Sequence, residues 1–174
     1  TETKRKNFLS SLLSNMGEGV YGVDKEGNCT WINKKALEML GYSEKEVLYK
    51  DQYMLFHYRK PTNEDYNARE CPIYLTQQDG KTRECEEWFI KKDGSFFPVN
   101  ITVAPAKNGG GIVIFRDISE FIKKEKELKR SESLFRMLFE FLPDPVVITD
   151  PQTKLPYMFN KAAHELLGYS TEEF

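Results

Sequence analysis

The chain has 174 residues and a formal net charge of −2, so we expect one ordinary domain of about 100–150 residues with a remainder. Hydrophobic residues make up 40% and charged residues 30%, which predicts a soluble globular protein and argues against a nucleic-acid surface or a polybasic membrane patch. There is no signal peptide, no apolar run of the roughly 20 residues that a bilayer span needs and no metal-type cysteine spacing, so we expect a reducing cytoplasm.

The chain begins with a helical pattern over residues 1–16. Phe8, Leu12 and Met16 recur at helical spacing, which predicts an amphipathic helix that ends at Gly17. Its apolar stripe exceeds what one small sheet domain can cover. We therefore expect it to lie at an interface between two copies of the chain.

Two short strands and a capped helix follow. Residues 19–24 and 28–32 have the pattern of strands joined by a tight turn. Asn33 stands where its side chain can cap a helix over 34–40. Gly41 stands just past the C-terminus of that helix, where a left-handed residue is common.

The middle of the chain alternates short helices with polar segments. A capping box at Ser43 opens another short helix, and the aromatic-rich stretch 49–58 is expected to be helical. Residues 59–70 form a polar loop. Beyond it, Pro72 stands at the first turn of a helix that stops at Gly80.

The firmest structural signal is the Asp93–Gly94 pair between two β-prone runs. Such a pair predicts a hairpin with a two-residue turn, because a type I′ turn needs φ > 0 at both central positions. A two-residue turn pairs Lys92 with Ser95. This register places Trp88 opposite Val99, so that large apolar residues of both strands share one face.

In this register Glu86 lies on the same face as Trp88. A carboxylate beside an apolar face must meet a donor, a bound water or a ligand, or become protonated. We therefore expect Glu86 to be at least partly shielded and close to any bound ligand.

A last strand and a long helix close the pattern. Residues 111–116 have strand character, and a Lys/Glu-rich helix follows over 119–142. One apolar track recurs along this helix at seven-residue intervals: Phe121, Leu128, Phe135 and Leu142. The second track of the heptad is poor, so two interpretations stand: a helix that pairs with a copy of itself, or a solvated linker helix with one apolar stripe.

After this helix the chain repeats its own beginning. Residues 146–150 echo the first strand, 160–163 echo the start of the Asn33 helix, and 167–170 echo its end. The repeat has no counterpart of the central hairpin, and a unit without its main strands cannot close its own core. We therefore expect a truncated start of a second domain over 143–174, in a fragment of a longer protein.

The order and spacing of these motifs resemble the PAS domain family. The resemblance is carried by the strand–Asn33–helix segment, the hairpin around Asp93–Gly94, the closing strand into 117–119 and the helix beyond it. It implies an α+β fold with a five-stranded antiparallel sheet in the order 2-1-5-4-3 and short helices on one face. The PAS domain then covers 17–118, and the repeat at 143–174 is the start of a second one.

The resemblance also implies sensory signalling within a larger bacterial or archaeal protein, with a sensor histidine kinase or a diguanylate cyclase as the expected parent. Asp117, Ile118 and Ser119 are similar to the family's junction between the last strand and the exit helix. The module is expected to bind a small ligand or to form a homodimer through its flanking helices. The alternative is a ligand-free scaffold domain. Neither nucleic acid nor the membrane is an expected partner.

The pocket that the resemblance implies lies between the sheet and the helices. Its candidate ligand-binding residues are Tyr53, Phe56, His57, Tyr74, Glu86, Trp88 and Phe97.

The cofactor stays undetermined at this point. Haem needs an axial ligand, and the helix before the hairpin, where PAS haem sensors commonly carry a histidine, has none. His57 and Cys71 are the remaining candidates. Asn28–Cys29 mimics the start of the flavin photoreceptor motif but lies on a strand rather than a helix. The alternatives are a small organic ligand, an empty well-packed core and non-covalent flavin.

No set of catalytic residues accompanies these motifs. The sequence has no glycine-rich phosphate loop, no serine–histidine–aspartate set and only two histidines. We expect neither a catalytic site nor a metal site in this fragment. Any enzymatic output is expected in another domain of the parent protein.

Overall fold

The structure is a computed structural model that describes residues 17–107 and 109–168. The helix predicted over 1–16 lies outside the described residues. The chain divides into two compact units, Thr1–Glu120 and Phe121–Phe174. The two units are described separately.

The first unit is built from five strands and short helices. Its strands are β1 (Gly19–Val23), β2 (Cys29–Ile32), β3 (Arg83–Ile90), β4 (Phe96–Pro105) and β5 (Gly111–Asp117). Its helices are α1 (Lys34–Leu40), α2 (Glu44–Val47) and α3 (Pro72–Asp79), with a π-helical turn at Tyr53–His57 and a 3₁₀ turn at Ala68–Glu70. The aromatic stretch predicted to be helical over 49–58 is therefore helical only in its second half.

The five strands form one antiparallel sheet in the order β2-β1-β5-β4-β3, which confirms the predicted order. The last strand of the sequence lies at the centre, between β1 and β4. Gly19 of β1 pairs with Phe115 of β5, and Val99 of β4 pairs with Asp117. The strand that joins the two halves of the sheet is thus the one that leads into the exit helix.

Caps fix the ends of the helices as the sequence predicts. The Oδ1 atom of Asn33 accepts hydrogen bonds from the backbone N–H groups of Ala36 (2.9 Å) and Val20 (3.0 Å), which ties α1 to β1. Gly41 ends α1 with a φ of +77°, a conformation that favours glycine. A capping box opens α2, and Pro72 is the first residue of α3.

The central hairpin has a different register from the predicted one. The backbone N–H of Lys91 donates to the carbonyl of Ser95 over 2.8 Å, so the loop has three residues, 92–94, rather than two. Gly94 has a φ of +84°, and the Asp93 carboxylate accepts a hydrogen bond from the N–H of Ser95. This is the arrangement of a type I turn followed by a left-handed residue, the next most common hairpin loop.

The one-residue shift exchanges the two faces of β3. Glu87 pairs with Val99, and Phe89 is fully buried in the core. Glu86 and Trp88 are exposed instead. The predicted register and the predicted shielding of Glu86 are therefore wrong, because the loop contains one residue more than the Asp–Gly pair alone suggests.

Aromatic side chains fill the space between the sheet and the helices. Tyr21, Phe56, Phe89 and Phe115 are fully buried. Contacting ring centroids in this group lie 5.2–6.5 Å apart, mostly edge to face, which is a favourable geometry for aromatic pairs. These rings occupy the region where the family resemblance implies a ligand pocket.

The second unit repeats the local structure of the first. Its elements are α4 (Ser119–Phe141, which begins at the end of the first unit), the paired strands β6 (Val147–Thr149) and β7 (Pro156–Phe159), and α5 (Lys161–Leu167). Asn160 Oδ1 accepts hydrogen bonds from the N–H groups of Val146 (2.8 Å) and Ala163 (3.0 Å), as Asn33 does in the first unit. Over residues 17–107 and 109–168, no helix is both long and apolar enough to cross a bilayer.

Candidate functional site

A largely buried polar cluster lies between the π-helical turn and the edge strand β3. It comprises His57, Tyr66, Cys71 and Glu87. The π-helical turn supplies His57, the segment before α3 supplies Tyr66 and Cys71, and β3 supplies Glu87. Glu87 faces inward because the three-residue hairpin loop sets the register of β3, so the cluster depends on that register.

His57 is fully buried, and both of its ring nitrogens have partners. Nε2 lies 3.3 Å from Oε2 of Glu87, and Nδ1 lies 3.4 Å from Sγ of Cys71. A cationic ring donates to both partners. A neutral ring protonated on Nε2 donates to Glu87 and accepts from the thiol. In either state the three side chains form a line from sulfur through imidazole to carboxylate.

Tyr66 binds the other oxygen of Glu87 and covers the imidazole ring. Its hydroxyl donates to Oε1 over 2.8 Å, and its ring centroid lies 4.3 Å from that of His57. The hydroxyl of Tyr53 donates in turn to the backbone carbonyl of Tyr66, which holds the loop against the π-helical turn. Across the described residues, every buried side-chain nitrogen and oxygen has a hydrogen-bond partner, as a stable polar cluster requires.

The hydrogen bonds decide the charge of the cluster. Burial lowers the pKa of His57, but the hydrogen bonds to Cys71 and Glu87 outweigh burial and raise this pKa to about 9. Burial also opposes ionisation of Glu87, yet the bonds from His57 and Tyr66 hold the pKa of its carboxyl below the ordinary value. At neutral pH an imidazolium therefore faces a carboxylate. Burial and the bond to Glu87 raise the pKa of Tyr66, so its hydroxyl stays a donor.

Two surface cavities reach the cluster. The larger has a volume of about 320 Å³ and is lined by Tyr66, Glu87, Trp88 and the loop 59–62. The smaller has a volume of about 150 Å³ and has Cys71 in its wall. Small molecules can thus approach the cluster beside Glu87 and beside Cys71.

The predicted ligand-binding residues occupy different environments. Those in the core are Phe56, His57 and Phe97. Those that line a cavity are Tyr53 and Tyr74 at the smaller one and Trp88, 43% exposed, at the larger. Glu86 is exposed and lines neither of these cavities.

The sequence prediction missed Glu87 and Tyr66. Glu87 is the neighbour of the predicted Glu86. A three-residue loop around Asp93–Gly94, assumed instead of a two-residue one, would have placed Glu87 on the inward face. Tyr66 lies in the polar loop, where no periodic pattern marks an inward residue. Cys71 was considered as an alternative haem ligand and as a helix cap, but not as part of a cluster with His57 and Glu87.

The histidine of this cluster is not available as an axial haem ligand. A haem iron needs a free imidazole nitrogen, and both nitrogens of His57 have protein partners. Within the described ranges, no group of three or more His, Cys, Asp or Glu side chains is placed to hold a metal ion.

The exit from the sheet is a capped junction. Asp117, the last residue of β5, accepts a hydrogen bond from the N–H of Ser119 over 2.8 Å. The N–H of Ile118 donates to the carbonyl of Pro98 over 3.1 Å. These bonds fix where β5 ends and α4 begins. Beyond the junction, the four residues of the predicted apolar track are 45–67% exposed: Phe121, Leu128, Phe135 and Leu142.

Comparison with known proteins gives two matches to the PAS domain family. One PAS domain sequence model matches residues 17–120, and a second PAS domain model matches residues 133–174. The nitrogen regulation protein NtrY of Azorhizobium caulinodans is 27% identical over 126 residues, which cover 70% of this chain and 15% of that protein. The chain therefore spans only a small part of the length of this relative.

Solved structures of similar fold include PAS domains of signalling proteins. A domain of the sensory box sensor histidine kinase/response regulator from Geobacter sulfurreducens superposes with a TM-score of 0.54 at 18% identity, covering 67% of this chain and 97% of that one. The PAS domain of nitrogen regulation protein NR(II) from Vibrio parahaemolyticus has a TM-score of 0.51 at 17% identity, covering 63% of this chain and 97% of that one. At these identities the likeness concerns the fold.

Proposed function

Since the chain belongs to the PAS domain family, we propose that it is a sensory module of a larger bacterial or archaeal signalling protein. The parent is a sensor histidine kinase or a diguanylate cyclase, and its catalytic step belongs to another domain. The module itself has no enzymatic role and works in the cytoplasm. The similarity to a nitrogen regulation protein and to a domain of a sensor histidine kinase/response regulator supports this proposal.

One row of paired residues across the sheet carries the proposal. Glu87 of β3 pairs with Val99 of β4, and Val99 pairs with Asp117 of β5. The buried cluster and the start of α4 therefore lie at the two ends of one row, with a single residue between them. Paired residues of antiparallel strands have Cα atoms about 5 Å apart. A displacement of Glu87 on ligand binding is thereby passed to Asp117.

The output is the pairing of two copies of α4. A helix of 23 residues with mostly exposed apolar side chains gains stability from packing against another surface, and exposed apolar stripes of this kind mark interfaces. The partner is a second copy of this chain. A shift at Asp117 changes the pairing angle of the two helices, which requires two packings of similar energy.

The test replaces two residues of the track by aspartate. Leu128→Asp with Phe135→Asp places like charges in the seam, so sedimentation equilibrium should show a shift toward monomer while circular dichroism stays unchanged. The control is Lys126→Gln with Ser133→Asp, which changes the net charge by the same amount on the opposite helix face and should leave the dimer intact. If the unmutated chain is monomeric at high micromolar concentration, the helix-pairing proposal is wrong. A double variant that dimerises as strongly as the unmutated chain also contradicts it.

A ligand-free scaffold domain is the second candidate, because buried aromatic rings fill the space between the sheet and the helices. An absorption spectrum of the purified protein, with mass spectrometry of whatever denaturation releases, separates the two functions. A small molecule released in near-stoichiometric amount supports sensing. An intact dimer that releases nothing supports the scaffold.

A further inference from the structure

Cys71 differs from the two other cysteines in its surroundings. Burial raises the pKa of Cys29 and of Cys85 to about 11, which keeps both as thiols at neutral pH. Cys71 instead lies 3.4 Å from Nδ1 of His57 and occupies the N-cap position of α3. A neighbouring histidine is a common partner of reactive cysteines.

Glu87 orients the imidazole toward the sulfur. Its carboxylate holds Nε2 at 3.3 Å, which turns Nδ1 to Cys71, and the stacked ring of Tyr66 restricts rotation of the imidazole. A nucleophile, a neighbouring histidine and a third group that orients the histidine form the arrangement that activates thiols in general. The activation here acts on a sulfur of the first unit.

The smaller cavity brings small molecules next to Cys71. Cys71 is only 2% exposed, but it forms part of the wall of the cavity of about 150 Å³. By this measure a water molecule needs only about 10–15 Å³, so a peroxide molecule fits this space. The cavity therefore admits a small oxidant.

We propose that Cys71, paired with His57, reacts with peroxide and that its oxidation is an input to this domain. The Sγ thiolate attacks one oxygen of hydrogen peroxide, so that the S–O bond forms as the O–O bond breaks. The leaving hydroxide takes the Nδ1 proton of His57 and departs as water. The sulfur is oxidised to a sulfenic acid while the peroxide is reduced.

The product places a sulfenic acid beside a neutral imidazole. The imidazole, still held by Glu87, takes up a proton again from solvent at neutral pH. The lasting change is the extra oxygen, which needs space next to a fully buried ring. Glu87 is the first residue of the row that ends at Asp117. The effect on the exit helix rests on the proposed signalling function, whereas the reactivity of Cys71 does not.

The test compares folded and urea-unfolded chains at neutral pH. Each sample receives a brief pulse of hydrogen peroxide, catalase removes the excess, and unfolding in dimedone traps sulfenic acids for peptide mass spectrometry. We expect folded Cys71 to react about ten-fold faster than Cys29 and Cys85, and faster than it reacts in the unfolded chain. Oxidation of Cys71 that is equal or slower in the folded protein overturns the proposal.

Variants test the role of the cluster. His57→Gln and Glu87→Gln should each slow oxidation of folded Cys71 about ten-fold, toward the rate of the unfolded chain. Cys85→Ser, the control, should leave the rate unchanged. A folded His57→Gln protein that reacts as fast as the parent overturns the activation by His57. If neither variant folds, the comparison of folded and unfolded parent chains still decides. Sedimentation of the Cys71→Ser protein measures dimerisation in a chain that cannot be oxidised at position 71. It therefore tests the proposed helix pairing separately from the reactivity of Cys71.

Discussion

The His57–Glu87 pair predicts a stability that falls as the pH rises above neutrality. Folded His57 keeps its proton up to a pKa of about 9, whereas a histidine in an unfolded chain releases it near a pKa of about 6.5. The stabilisation is thus fully present below the unfolded pKa and is lost as the pH rises through the folded one. Between the two values the folded state binds about one proton more than the unfolded state. The free energy of unfolding therefore falls by about 1.4 kcal/mol per pH unit.

The size of this effect follows from the width of the interval. Over about 2.5 pH units the loss amounts to about 3 kcal/mol, against a typical total stability of about 5–15 kcal/mol. Solvent screening removes little of it, because His57 is fully buried. Glu87 contributes at acid pH with the opposite sign. Its pKa is lowered, so its stabilisation is present above the unfolded pKa of about 4.3 and is lost as the pH falls through the folded one.

Urea unfolding of the parent and of His57→Gln measures the effect. The difference in free energy of unfolding between the two proteins cancels the groups that titrate in both, and it should shrink by about 2–3 kcal/mol between about pH 6 and pH 9. His164→Gln, which removes the other histidine, should follow the parent. Parallel pH profiles for the parent and His57→Gln would refute the charged pair. A parent stability that rises with pH relative to His57→Gln would mean that burial, rather than hydrogen bonding, sets the pKa of His57.

Three further changes have definite outcomes. Asn33→Ala removes a helix cap and leaves buried backbone groups without partners, so urea unfolding should show a loss of about 2–4 kcal/mol, against less than about 1 kcal/mol for the exposed cap in Asn67→Ala. Gly110→Ala places a Cβ 1.9 Å from the carbonyl of Val23 and should lower the melting temperature by an amount equivalent to about 3 kcal/mol, whereas Gly17→Ala, with open space around it, should not. The purified protein should lack haem, and a Soret band that survives gel filtration at near-stoichiometric intensity contradicts this.

The sequence predicted the ends of the elements well because capping is local chemistry. Asn33, Gly41 and Pro72 each act on backbone within a few residues, so their positions alone identify the start or the end of a helix. The order of the strands came from the family resemblance, since pairing partners far apart in the chain leave no local signal.

The predicted register of the hairpin was wrong for a physical reason. An Asp–Gly pair suits a two-residue turn, but the same glycine also serves as the left-handed residue of a three-residue loop. Only the packing of β3 on the core decides between them, and it places Glu87 rather than Glu86 inside. The contact of His57 with Glu87 joins residues 30 positions apart. The family resemblance could therefore suggest His57 as a site residue, but no local pattern identifies its partner.

The central position of β5 also has a consequence for how the domain folds. The β1–β2 and β3–β4 hairpins each join neighbouring segments, so each can form early. Joining them requires β5, which pairs with β1 over a separation of about 90 residues and therefore carries the largest loop-closure entropy. During synthesis the two hairpins cannot join into one sheet before β5 has been synthesised. The hydrogen bonds at Asp117 therefore form only when the whole sheet is complete, and α4 follows a domain that has already folded.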